Sequence, residues 1–274
     1  MGISRWAVKL EYCGSAFSGW QRQESALSIQ QVLEEAAQKL SGGIPVSSIT
    51  AGRTDAGVHA LGQVAHLDFP DSVFYNSKKI RDGLNFHLIP HNVAILDAAP
   101  VDKEWSARFS AISRSYRYII LNRPSRPALD ENRVWHVKRT LNPNLMAEGA
   151  QFLIGKHDFS SFRATACQAK SPFRSISNIH IIQQEDRIII DISARSFLHH
   201  QVRNIVGTLK LVGEKTWHPL QVKSALEARN RSAAGPTAPA CGLYLTHIGY
   251  QPDPFENPTA QTTRGNQLVD KERS

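Results

Sequence analysis

Trp6, Val8, Leu10 and Tyr12 alternate with smaller or charged residues, and this period of two predicts a half-buried strand that Gly14 ends. The period then changes. Ile29, Val32, Leu33, Ala36, Ala37 and Leu40 recur at i, i+3, i+4, i+7, i+8 and i+11, the stripe of an amphipathic helix. Ser28 and Gln31 are spaced as a capping box, and Gly42-Gly43 follows the helix end. Strand patterns at 62–69 and 93–99 flank a helix around 77–86, so one α+β unit closes near residue 100.

The second half loosely repeats this order, as an internal duplication would. A strand spans 115–121, and a helix opens with Asn142 as cap and Pro143 in its first position. Strands at 176–183 and 187–194 read as a hairpin across Gln184-Glu185-Asp186. Val202, Ile205, Val206, Leu209 and Val212 give a further helix, while Val222, Ala225 and Leu226 give a shorter one capped near His218-Pro219. The last strand covers 242–250. At 274 residues the chain exceeds one ordinary domain, which predicts two α+β lobes, 1–105 and 106–250. Residues 251–274 carry three prolines and no periodicity and read as a mobile tail.

Composition excludes the fibrous and wholly disordered classes, since 17 Gly and 14 Pro are ordinary for a globular chain. Cys13, Cys167 and Cys241 are far apart with no CxxC, so neither a disulfide framework nor a zinc knuckle is expected and a reducing, cytoplasmic setting fits. No apolar run approaches the ~18 residues of a membrane span, and Met1 to Arg5 lead straight into the first strand without a secretory core.

Charge points to a partner. The 32 basic residues against 24 acidic ones leave +8, which suggests a polyanion. Between 108 and 139 stand Arg108, Arg114, Arg117, Arg123, Arg126, Arg133, Lys138 and Arg139 against only Asp130 and Glu131, so this window carries +6 of the +8. Phe109, Tyr116, Tyr118 and Trp135 interleave with it, the mixture that grips phosphates and stacks bases, although a solvated charged face has the same composition.

The densest candidate chemistry is the stretch from Ala51 to Val64, where Gly52, Gly57 and Gly62 bracket Arg53, Asp55 and His59. Such a loop brings backbone close to a ligand and presents Arg53 and Asp55 there; the bland alternative is a turn in which Asp55 caps a helix. A phosphate loop is excluded, because no GxGxxG exists and Gly155-Lys156 is followed by His157. Metal ligation is disfavoured. Asp55 with His59 and His66 with Asp68 are close in sequence, but neighbouring His199 and His200 on a helix would point about 100° apart. Arg203 lies at the rim of an apolar stripe, where it would either snorkel to solvent or be satisfied by a carboxylate such as Asp55 from the other lobe.

Several separated motifs resemble the tRNA pseudouridine synthase A family. They are Gly52-Arg53-Thr54-Asp55-Ala56-Gly57-Val58-His59-Ala60, Ala107-Arg108-Phe109-Ser110-Ala111, Tyr116-Arg117-Tyr118 and Gly155-Lys156-His157-Asp158-Phe159. Three more follow: 197–207, 231–240 and Gly242-Leu243-Tyr244-Leu245. The resemblance covers roughly 5–250 and implies an α+β fold whose two lobes share a mixed, largely antiparallel sheet, with a basic active-site cleft between them, in a homodimer. It implies isomerisation of uridine to pseudouridine at positions 38, 39 and 40 of the tRNA anticodon stem-loop, without metal or cofactor. Asp55 would be the nucleophile, Arg203 its partner, and Tyr118 the ring that stacks on the detached uracil. Arg53 would support the flipped state and Leu245 would wall the base; with Arg108, Phe109, Ser110 and Arg126 they complete the expected substrate contacts.

Two other classes share some of these features. A non-catalytic RNA-binding protein would carry the basic stripe but would not need Asp55 in a glycine-bounded loop facing a polyanion. A metal-dependent nuclease would need two or more convergent carboxylates, and the motif holds one.

Overall fold

The computed structural model describes residues 2–71 and 75–256. The first half contains β1 (Ile3–Tyr12), α1 (Ile29–Leu40), β2 (Ser48–Thr50), β3 (His59–Pro70), α2 (Ser77–Leu88) and β4 (Val93–Val101). The second contains β5 (Ser113–Asn122), β6 (Trp135–Val137), α3 (Pro143–Gln151), β7 (Gly155–Asp158), β8 (Phe173–Gln184), β9 (Arg187–Ala194), α4 (Gln201–Gly213), α5 (Leu220–Glu227) and β10 (Leu243–Gly249). Every longer element follows its sequence pattern. β2, β6 and β7, of three or four residues, are too short to display a period.

One mixed sheet runs through both halves in the order β4-β1-β3-β10-β5-β9-β8-β7, with β2 beside β3 and β6 beside β5. Its pairings are antiparallel except β10 with β3 and β5 with β6. The last strand therefore closes the molecule: β10 meets β3 at Tyr244 and Leu245 and runs antiparallel to β5 from Leu243 opposite Tyr118 to Gly249 opposite Ser113. No helix among the described residues is long and apolar enough to cross a membrane.

The helices cover this sheet as two apolar cores. The first gathers Val8, Leu10, Ile29, Leu33, Leu67, Phe69, Ile80 and Leu84, and the second Tyr118, Ile120, Ile190, Ile192, Ile205, Val206 and Leu209. Tyr116 packs against both and marks the seam between them. At the start of α1 the Ser28 hydroxyl accepts the Gln31 N–H at 3.2 Å, but the Gln31 amide turns to Glu35 instead, so the capping box closes on one side only. Beyond β10, Phe255 packs against the first core; residues 257–274 of the segment read as a mobile tail lie outside the described ones.

Candidate active site

The loop between β2 and β3 is fastened from beneath. Trp20 donates its backbone N–H to the Thr54 carbonyl at 3.0 Å, the Tyr12 and Thr54 hydroxyls pair at 2.8 Å, and the Gln63 amide donates to the Gly52 carbonyl at 2.8 Å. Gly19, at φ +97°, lets the loop between β1 and α1 approach so closely that a Cβ there would stand 2.7 Å from the Thr54 oxygen. With its backbone held, the loop turns at Gly57 (φ +78°) directly into β3, so Asp55 caps no helix. Arg53 is exposed, and the Asp55 side chain retains 27% of its accessibility.

The other wall is α4 and the segment before it. Arg203 donates from Nη1 to Asp55 Oδ2 at 2.9 Å and from Nε to the Ala238 carbonyl at 2.8 Å, while Ala238 N–H returns a bond to the Arg203 carbonyl at 3.1 Å. The guanidinium therefore does not snorkel. It is held from behind and aimed at the carboxylate.

Two histidines join them, and here the sequence expectation needs correction. His199 and His200 precede α4, and His200 adopts a left-handed backbone (φ 61°, ψ 6°) that turns both imidazoles toward Asp55. His199 Nε2 stands 3.3 Å from Oδ1 and His200 Nε2 3.2 Å from Oδ2, with the rings 4.0 Å apart. A non-glycine residue at positive φ is uncommon and costly, so the surrounding structure enforces this turn. Burial pushes the His200 imidazole below its ordinary value and the Asp55 charge works against that shift. The other close pairs do not converge on a cation: His59 Nδ1 accepts the Gly14 N–H, and His66 Nδ1 accepts the Ala107 N–H while Asp68 pairs with Arg5.

Tyr118 is also corrected. Its ring is fully buried in the second core, edge-on to Trp135, and its hydroxyl donates to the Pro239 carbonyl at 2.7 Å, so no base can stack on it. Tyr116, two residues earlier on the same face of β5, occupies the seam. It stands perpendicular to Phe197 at 5.3 Å, and its phenol is pushed up chiefly by burial, with the charges of Tyr12 and Asp55 adding to the shift. Leu245 lies opposite Tyr116 on β10 and is fully buried beside it.

Behind Arg203, a polar cluster props the 231–239 segment against α4. Asn204 Oδ1 accepts from the Thr237 hydroxyl at 2.6 Å and from Arg231 at 3.1 Å, and its amide donates to the Phe162 carbonyl at 2.9 Å. Gly207 gives this segment room, since a Cβ there would overlap the Pro236 carbonyl oxygen. Sequence reasoning missed this cluster, although Asn204 and Thr208, buried polar residues on an apolar helix, were its signal.

The basic window divides in two. Arg114 fills its guanidinium with the carbonyls of Ala51, Arg108, Ala111 and Arg195, Arg117 makes a two-point pair with Asp191, and Arg123 pairs with Asp186. These three hold the fold together. Arg108, Arg126, Arg133, Lys138 and Arg139 are exposed, and Arg108 lies 5.5 Å over the 80%-exposed Phe109 ring. Ser110 instead turns back, its hydroxyl accepting the Ser106 N–H.

Comparison with known proteins fits this geometry. A family model described as tRNA pseudouridine synthase matches residues 8–110 and 150–251. The chain is 55% identical to tRNA pseudouridine synthase A of Gluconobacter oxydans (strain 621H), over 93% of this chain and 92% of that protein. It is 56% identical to tRNA pseudouridine synthase A of Acidiphilium cryptum (strain JF-5), over 92% and 99%, and 52% identical to that of Paramagnetospirillum magneticum (strain ATCC 700264 / AMB-1), over 90% and 96%. With its motifs matched in both halves and more than nine-tenths of the chain aligned to two of these relatives, the protein belongs to the tRNA pseudouridine synthase family.

Proposed function

We propose that this chain isomerises uridine to pseudouridine at positions 38, 39 and 40 of the tRNA anticodon stem-loop, with Asp55 as the nucleophile. The observation that carries this reading is a single carboxylate at the seam of two cores, fixed by Arg203 and standing by Tyr116 in a surface otherwise rich in cations. A carboxylate facing RNA repels phosphate, so its place there argues for chemistry on a sugar rather than for binding. The target uridine leaves its stack at a cost of a few kcal/mol, supported by Arg53. The C1′–N1 bond breaks, the uracil turns, and C1′ joins C5; the C5 proton is lost and N1 gains one, so the reaction is redox-neutral. Arg203 holds Asp55 in place through a charge-assisted hydrogen bond, and Tyr116, rather than Tyr118, provides the ring on which the detached base rests. Leu245 supports that ring. Exposed Arg108, Phe109 and Arg126 would contact the stem, in a homodimer working in the cytoplasm.

The test is Asp55→Asn with an unmodified tRNA transcript, mapping pseudouridine in the anticodon stem-loop by carbodiimide. Pseudouridine disappears while tRNA affinity stays within about tenfold, because the phosphate contacts that dominate affinity are untouched. Near-wild-type turnover would refute the reading.

A further inference from the structure

Asp55, His199 and His200 each offer one ligand atom, and the three atoms lie within 4.8 Å of one another. The carboxylate-to-imidazole separations are 3.3 and 3.2 Å. Two donors on a tetrahedral zinc ion, each about 2.0–2.1 Å from the metal, stand about 3.3 Å apart, and each imidazole already stands about that far from one oxygen of the carboxylate, His199 from Oδ1 and His200 from Oδ2. The donor set matters too. Two imidazoles and one carboxylate suit zinc and its neighbours, whereas magnesium and calcium favour oxygen ligands. His199 and Asp55 keep 46% and 27% of their side-chain accessibility, which gives an ion an entry path and a water a fourth position.

We propose that Asp55, His199 and His200 form an inhibitory binding site for a borderline divalent cation, zinc foremost, which competes with the substrate for the carboxylate. Two features oppose the cation and make its hold reversible. Arg203 already occupies Oδ2 at 2.9 Å, and the positive end of α4 begins at Gln201. The site is therefore weaker than a structural zinc site, and Arg203 competes with the metal directly. The inhibitory consequence rests on Asp55 acting in turnover; the binding does not.

The test titrates metal-stripped protein with Co2+, reading the visible absorption of a low-coordinate cobalt ion, and then displaces it with Zn2+. Pseudouridine formation is followed separately with added Zn2+ and with chelator. The chain has 11 histidines and three cysteines, so variants must locate the site. His199→Gln, at an exposed position, keeps a hydrogen-bond donor for Asp55 without its imidazole and lowers metal affinity about tenfold or more, as does His200→Ala. Arg203→Met raises it, because the competing cation is gone. Zn2+ inhibits the wild type, and chelator restores activity. Absence of saturable cobalt binding, wild-type affinity in His199→Gln and His200→Ala, or no gain in Arg203→Met would each overturn the proposal. If the metal binds as expected while Asp55→Asn still turns over, the site stands and the proposed reaction fails; if Asp55→Asn is dead and cobalt does not bind, only the metal site fails.

Discussion

Arg203 and Asp55, 148 positions apart, meet at 2.9 Å, and Arg203 reaches the carboxylate from a guanidinium already anchored on the Ala238 carbonyl. A planar fork can serve both acceptors at once; an ammonium cannot keep that geometry. Arg203→Lys therefore lowers kcat by about a hundredfold while tRNA affinity changes little, since misplacement by an ångström is enough for such a loss. In Arg203→Met the carboxylate loses both its positive neighbour and the hydrogen bond that positions it, so kcat falls further than in Arg203→Lys. Wild-type turnover in both variants would exclude the role given to this pair.

Tyr116 and Tyr118 separate stacking from structure. Stacking on one base is worth about 1–3 kcal/mol, so Tyr116→Ala costs about fivefold or more in turnover. Tyr118→Phe leaves the Pro239 carbonyl without its donor and lowers stability by about 1 kcal/mol, with turnover largely kept. Urea midpoints and initial rates on both variants check this, and the reverse pattern would return the stacking role to Tyr118.

The confusion of these two tyrosines explains what a sequence can and cannot reveal. The β1 and α1 patterns were legible because each repeats over several residues against one core. Tyr116 and Tyr118 share a strand face, and which ring reaches the seam depends on where β10 inserts beside β5, a pairing more than 120 residues away. The convergence of His199 and His200 hangs on one left-handed backbone at His200, which no glycine announces. Arg117 and Arg123 looked available to phosphate because Asp191 and Asp186, their partners, lie more than 60 residues on. Asp55 and Arg203 were legible because a glycine-bounded acid and a rim arginine each needed a partner of opposite charge.

The same division of the basic window makes salt dependence informative. Affinity for tRNA falls roughly linearly with salt on logarithmic axes, as counterions are released. Arg108→Ala and Arg126→Ala each reduce that slope by about one if each touches one phosphate, whereas Arg117→Ala, already paired with Asp191, leaves it unchanged. Filter-binding at several salt concentrations measures all three. A flat response in the wild type would contradict the phosphate contacts.

His66 predicts acid sensitivity of the fold. Burial, with Arg5 close by and only partly offset by Asp68, pushes its imidazole down to about 4. The unfolded chain binds a proton near 6.5, so the stability tied to neutral His66 is complete above that pH and is lost as pH falls toward 4. The difference amounts to about 3 kcal/mol. His66→Gln, whose amide oxygen can still accept the Ala107 N–H, flattens the decline of the urea midpoint between pH 6.5 and 4. An equal decline in both proteins would show that other groups govern it.

Thr237 tests whether the cluster behind Arg203 acts on the reaction. Its hydroxyl donates to Asn204 Oδ1 at 2.6 Å and accepts from Arg231 at 3.2 Å, and Ala238, the next residue, supplies the carbonyl that aims Arg203. Thr237→Val keeps the volume and removes the hydroxyl, so Arg231 and Asn204 lose a shared partner and the 236–239 segment loses one of its tethers to α4. The expected result is a fall in kcat of about tenfold with KM nearly unchanged, since the exposed arginines are untouched. Thr237→Ser restores the hydroxyl and with it most of the rate. A purely structural role would instead lower the urea midpoint in Thr237→Val with kcat intact at temperatures where the protein is folded.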